Sequence, residues 1–342
     1  MGRVRTVLGD VSAASIGPTM LHEHVLFDIV PPGASGDRDA PIRAEDRWQV
    51  DYRSNEAPAN AHQTDPAVAA AELALFAGDG GALIVDQSVH GLARDAEGLA
   101  QASSDSGVHV VAAAGTYTEP FLDAATLALD TDALTARVIA EVTEGLDGTA
   151  IRAGLIGEIG CSWPLTAFER RALIAAAGAQ QATGAAISVH PGRDATACAQ
   201  ILDILADAGA DLTRVILCHM DRTHPDGAGI QPLLDRGAVV EWDFFGIEQS
   251  HYWMDGETEL PNDLGRLRLI RHFAERGHGA QITVSHDICT KTRLRRWGGH
   301  GYGHILRNLR GLFECLGMSG DLFAALVRDN PLNLLTLRED TP

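Results

Sequence analysis

TMLHEHVLFD, residues 19–28, is a short apolar run interrupted by two histidines. Thr19, Met20, Leu21, Val25, Leu26 and Phe27 read as a buried strand, with His22 and His24 inside it and Glu23 between them. A buried imidazole costs free energy unless its nitrogens find partners. Side chains alternate along a strand, so residues two apart share a face. Both imidazoles therefore aim at one point, and the fold has to supply a common partner there.

Seven further β-rich runs follow: ALIVDQS (82–88), VHVVAAAG (108–115), AGLIGEIG (153–160), AAISVH (185–190), RVILCH (214–219), AVVEWD (238–243) and ITVSHD (282–287). Most are continuously apolar, as expected of parallel strands covered on their outer face. Helix-like segments lie between them at 65–80, 165–184, 195–210 and 264–279, with apolar residues at helical spacing and glycine near the end. Eight strands alternating with helices in 342 residues predict an α/β chain folded as a (β/α)8 TIM barrel. Residues 1–342 form a single domain in this reading. An open doubly wound sheet would favour a glycine-rich phosphate loop, and neither G-x-G-x-x-G nor a Walker sequence occurs. The long irregular stretch from about 29 to 64 is expected to extend the first βα loop.

The formal net charge is −19 and the isoelectric point about 5.0. So acidic a surface repels phosphate backbones and anionic membranes, so neither nucleic acid nor membrane is an expected partner. No stretch of ~20 residues is free of charge, and the opening MGRVRTVLGDVSAAS has no apolar run of leader length. The five cysteines are widely spaced, without C-x-x-C, which suits reduced thiols and a cytoplasmic location. Lys291 is the only lysine.

In a barrel, chemistry sits at the C-terminal strand ends. There the chain places His22 and His24, Glu158, His190, His219 and the pair His286-Asp287. A single histidine at a strand end is ordinarily a hydrogen-bonded core residue; five strands ending in ligand-type residues make a converging cluster. Imidazole and carboxylate donors without thiolate suit zinc first, and also manganese, cobalt, iron or nickel. Glu23 and His286 alternate away from the cluster and read as outward-facing. His62, His90, His109, His272 and His278 read as surface residues.

The pieces LHEH (21–24), GEIG (157–160), SVHPGRD (188–194), ILCHMDR (216–222), VSHD (284–287) and DNPLNLL (329–335) resemble the phosphotriesterase-like family of the amidohydrolase superfamily. The resemblance implies two divalent metal ions: His22, His24 and Asp287 on the more buried one, His190 and His219 on the other. Many members bridge the ions with a carboxylated lysine; here that place holds Glu158, which puts the chain in a glutamate-bridged branch. A metal-bridging hydroxide would attack, and Asp287 would take the proton. An ester bond is then the expected target, in a small carboxylate ester or lactone. Organophosphate or phosphodiester hydrolysis and amide cleavage are the alternatives. The position where phosphotriesterases carry a proton-shuttling histidine looks like Phe244, and Met220-Asp221-Arg222 departs from the family's acidic sixth loop.

Loop residues expected to meet substrate are Tyr117, Arg193, Arg222, Tyr252 and Trp253. Salt bridges to loop carboxylates are an equal expectation for Arg193 and Arg222. The arginines of GRLRLIRHF and TRLRRWGGHGYG read as solvated or paired with acids. Schiff-base chemistry at Lys291 is disfavoured by its polar loop. A vestigial, non-enzymatic metal site is disfavoured by the intact ligand set. A homodimer is the assembly the resemblance allows.

Overall fold

The computed structural model describes residues 2–54 and 56–337. Eight parallel strands form one sheet in chain order: β1 (Thr19–Glu23), β2 (Leu83–Asp86), β3 (His109–Ala114), β4 (Leu155–Gly160), β5 (Ile187–His190), β6 (Val215–Leu217), β7 (Val239–Trp242) and β8 (Ile282–Val284). The sheet curls until its ends meet. The Asp287 N–H donates to the His22 carbonyl at 3.1 Å, and the His22 N–H donates to Ser285 Oγ at 3.1 Å. The result is a nearly closed barrel, as the alternation predicts.

Helices cover its outside: α1 (Pro66–Gly78), α2 (Ala96–Ser106), α3 (Thr131–Thr143), α4 (Ala167–Thr183), α5 (Ala197–Asp207), α6 (Ile230–Asp235) and α7 (Asp263–Phe273). Local chemistry sets their starts. Asp65 caps α1 ahead of Pro66, and Thr166 with Glu169 forms a capping box on α4. The sequence reading finds α1, α4, α5 and α7 but not α2, α3 or α6. The buried face of α2 includes Ala96, Gly98, Ala102 and Ser103 around Leu99, too small a set to print a strong apolar period.

Two layers of core follow from strand alternation. Leu21, Leu83, Val85, Val111, Leu155 and Ile216 fill the barrel interior. Met20, Ile84, Val110 and Ile156 face outward against the helices. At the N-terminal end a hairpin, Arg3–Thr6 with Gly9–Ser12, packs beside the segment Asn330–Leu335. Asn330 donates to the Ile282 and Gly279 carbonyls at 2.7 and 2.8 Å, so DNPLNLL fastens the chain's last helical turns under β8.

Alternation breaks at two places. Along β1, the four residues Met20–Glu23 face three on β2 (Ile84–Asp86), and along β4 the four residues Ile156–Ile159 face three on β5 (Ile187–Val189). Each is a bulge of one extra residue. Strict alternation from inward Leu21 and Leu155 would turn His22 and Glu158 outward; the bulges bring both to the interior. The strand expected over 19–25 accordingly stops at Glu23, and Phe27–Asp28 pairs antiparallel with His62–Gln63 from the extended loop.

Candidate metal centre

Glu158 stands in the middle of the mouth. Its Oε1 lies 3.5 Å from His24 Nε2, while its Oε2 lies 3.7 Å from His22 Nε2, 2.9 Å from His190 Nδ1 and 3.4 Å from His219 Nε2. Asp287 Oδ1 completes the inner side, 3.3 Å from His24 Nε2 and 3.8 Å from His22 Nε2. Among the described residues three groups could hold a cation: His22–His24–Glu158 and Glu158–His190–His219, which share Glu158, and His22–Cys218–Glu241–Asp243 beneath them. All six residues expected as ligands thus converge.

Local backbone explains how Glu158 gets there. Gly157 has φ +103, and a Cβ on it would run into the Ser188 carbonyl. A Cβ on Gly160 would meet the Thr118 backbone nitrogen. The two glycines of GEIG are therefore required by close approach on both sides of the glutamate. His219 and Asp287 also take positive φ, 58° and 47°, where their strands turn into the loops.

The donors suit a divalent ion. His22 is fully buried, and neither of its ring nitrogens has a hydrogen-bond partner among the described residues. Such an arrangement is costly unless something accepts the lone pair. Burial pushes Glu158 up, but the imidazoles of His190, His219 and His22 outweigh it and hold its carboxyl well below the usual range. Asp287 is likewise brought down to about 2, burial being overcome by His24, His219 and His22. Burial, then the Arg222 guanidinium, hold His219 well below the ordinary imidazole value. Anionic carboxylates with a neutral imidazole are the ligand forms a hard or borderline cation needs.

A supporting layer lies beneath. Asp243 accepts the His219 N–H and faces its Nδ1, and its other neighbour is His22, whose Nδ1 is 3.4 Å from both Asp243 Oδ2 and Glu241 Oε2. At His219 the acceptor at Nδ1 keeps the proton there and leaves Nε2 free to coordinate. Sequence reasoning missed Glu241 and Asp243, although EWD repeats the i, i+2 pattern that exposed the histidine pair. Glu23, by contrast, is buried on the far side, where its carboxylate accepts from Ser285, His286 and Ile288. It is structural, and His286 is its partner, facing away from the barrel axis yet fully buried.

A cavity of about 60 Å³ opens over the ligands, and Tyr117, Arg193, Arg222 and Tyr252 line it. Trp253 instead lines a groove alongside. Phe244 tilts against His219 with ring centroids 5.5 Å apart, so that position carries no ionisable group. Arg293 corrects the reading of TRLRRWGGHGYG: it lines the cavity, because a short turn after Asp287 folds it back and its Nη1 donates to the Asp287 carbonyl at 2.8 Å. Asp221 serves structure, accepting from Arg266 at 2.5 Å and from the Asp243 N–H at 2.9 Å. Lys291 lies outside the cavity, 5.7 Å over the Trp297 ring.

The family model described as "Phosphotriesterase family" matches residues 2–335. The human N-acetyltaurine hydrolase is 36% identical over 345 residues, covering 98% of this chain and 99% of that one. Among solved structures, a resiniferatoxin-binding protein from Rhodobacter sphaeroides superposes with a TM-score of 0.92 at 33% identity, over 98% of this chain and 95% of that one. A mutant phosphotriesterase-like lactonase from Deinococcus radiodurans superposes with a TM-score of 0.78 at 25% identity, over 97% and 99%. No helix among the described residues is long and apolar enough to cross a membrane.

Proposed function

The chain belongs to the phosphotriesterase family, and from that premise we propose that it is a metal-dependent hydrolase of N-acyl amides that carry an acidic group on the amine half. The observation that carries the reading is a trio of guanidinium groups at the cavity, Arg193, Arg222 and Arg293. Their polar partners among the described residues are neutral. Arg193 donates to Tyr252 Oη and Met254 Sδ, Arg222 to the Pro191 carbonyl beside His190, and Arg293 to the Asp287 carbonyl and Cys289 Sγ. In a chain of net charge −19, three arginines in one small cavity with no direct ion pair to a carboxylate among the described residues favour an anionic substrate. The extended likeness to N-acetyltaurine hydrolases supports an amide of an amino acid or amino sulfonate.

His22, His24 and Asp287 would hold one divalent ion and His190 and His219 the other, with Glu158 offered to both. Divalent ions in such a site supply an activated water and a Lewis acid for the scissile carbonyl. The chain's residues do the rest. Asp287, ionised throughout the neutral range, accepts the proton of the attacking water and returns it to the departing amine. The arginines orient the substrate by its acidic end. Tyr252 and Phe244 close the wall beside them and limit water. Phe244 offers no proton relay, which disfavours organophosphate turnover.

A lactone or carboxylate ester is the second reading, favoured by the apolar groove beside the cavity and by the lactonase neighbour. Turnover assays on the metal-reconstituted protein separate the two. N-acetyltaurine and N-acetyl amino acids are expected to exceed neutral amides, γ-lactones and phosphotriesters in kcat/KM. A lactone preference with indifference to the acidic group would replace the first reading by the second.

A further inference from the structure

The cavity over the ligands is not the end of the path. A groove of about 550 Å³ runs beside it, far larger than the about 60 Å³ above the metal ligands themselves. The two share Ile29, Tyr117, His190, Arg193 and Met254 as common walls. Beyond those walls Pro31, Pro120, Phe121, Trp163 and Trp253 give the groove a mostly apolar and aromatic side, with Thr118 and Ser162 as polar groups among them. Tyr117 stands at the junction, its ring edge-on to both His190 and Phe121 with centroids 5.1 Å from each. Arg193 stands at the same junction from the other side, fixed by Tyr252 Oη at 3.0 Å and Met254 Sδ at 3.2 Å.

We propose that this groove is a subsite for an extended apolar or aromatic acyl group, so that the physiological substrate carries an acyl chain longer than acetyl. The inference rests on the hydrolase reading above for its chemistry, and it adds the size and character of the acyl half. Trp163 is 39% exposed, an unusual state for a large apolar ring in this chain, and a bound chain would cover it. Five different βα loops supply the lining, after β1, β3, β4, β5 and β7, so the groove is a built crevice between loops and not the face of one element. Its walls offer an alkyl or aryl group shape and apolar contact; its one guanidinium, Arg193, lies at the end shared with the cavity, beside His190. An amphiphilic molecule therefore has only one sensible direction of entry, polar end toward His190 and tail toward Trp163 and Trp253.

The test is direct binding, independent of turnover. Straight-chain carboxylates from acetate to octanoate are titrated into the metal-loaded protein by calorimetry. Affinity is expected to rise by roughly threefold per methylene as the chain fills the groove. In Trp163→Ala and Trp253→Ala the rise should shrink to less than half of that slope on a logarithmic scale, with the protein's melting temperature checked in each. A flat series in the wild type, or an unchanged slope in both variants, overturns the subsite. A parallel comparison of N-acetyl, N-hexanoyl and N-phenylacetyl amino sulfonates reads the proposed function separately. Turnover of all three at equal kcat/KM counts against the subsite and leaves the hydrolase standing; a rising carboxylate series without turnover of any amide supports the subsite and removes the amidase reading.

Discussion

Asp243 meets His219 twice: its Oδ2 accepts the His219 backbone N–H and its Oδ1 faces the His219 Nδ1, both at 2.9 Å. The first contact fixes the turn after β6 and the second fixes the tautomer, so that Nε2 points at Glu158. Asp243→Asn should keep the shape and leave one acceptor oxygen where there were two, so that an NH2 group faces either the His219 N–H or its Nδ1. Metal affinity is expected to fall by roughly 10–100-fold, read by competition with a chelator, with the melting temperature of the metal-free protein changed little. Equal metal affinity in the variant would remove Asp243 from the account.

Arg193 and Arg293 should act on binding of the acidic end. Arg193→Ala and Arg293→Ala are each expected to raise KM for N-acetyltaurine by roughly tenfold or more, the size of a lost charge-assisted hydrogen bond. A neutral amide of the same length should be affected several-fold less. Equal losses on both substrates would mean that the arginines only shape the cavity.

The bulge at β4 depends on glycine at 157, where φ is +103 and the Ser188 carbonyl leaves no room for a Cβ. Gly157→Ala should cost about 1–3 kcal/mol from backbone strain alone, seen as a lower melting temperature. Because the bulge aims Glu158, metal content should fall with it. A stable variant with full metal content would show that the turn can be made another way.

Asp263 joins α7 to the loop after β8. Its Oδ2 accepts from His304 at 2.6 Å and its Oδ1 from Arg266 at 2.8 Å and from the Gly246 N–H at 2.9 Å. Burial pushes its carboxyl up, but His304 and Arg266 bring it down to about 2 from an ordinary 3.8. A depressed pKa contributes stability that is present above about pH 4 and is lost as pH falls through about 2. That lowering corresponds to about 2 kcal/mol. Asp263→Asn should therefore differ from the wild type by about that amount at pH 6 and converge with it near pH 2, measured by denaturant unfolding of the metal-free protein. A gap that persists unchanged at pH 2 would rule out this linkage.

The barrel, its eight strands and the six candidate ligand positions could be read from the chain because most strands are continuous apolar runs and five of them end in a ligand-type side chain. The sequence reading puts His22 and His24 on one face by alternation; both do approach Glu158, but β1 ends at Glu23, so His24 gets there beyond the strand. Alternation could not say which face, since that depends on bulges that add a residue to β1 and β4 without leaving a mark in the apolar pattern. Only the glycines around Glu158 hint at the second one. Glu241 and Asp243 were legible by the same i, i+2 rule, and the sequence reading gives them no role. Arg293 was not legible, because its position depends on a turn after Asp287 that brings it back over the cavity. The helices α2 and α3 hid for a different reason: alanine, serine and threonine carry much of their length, so their caps, Asp95 and Asp130, are the stronger signal.

The central claim is that Glu158 joins two metal ions, one beside His22 and His24 and one beside His190 and His219. Anomalous scattering from crystals of the metal-loaded protein tests it most directly. Two peaks are expected, one on each side of Glu158, with one carboxylate oxygen turned toward each. A single peak, or two peaks of which Glu158 touches only one, would contradict the account.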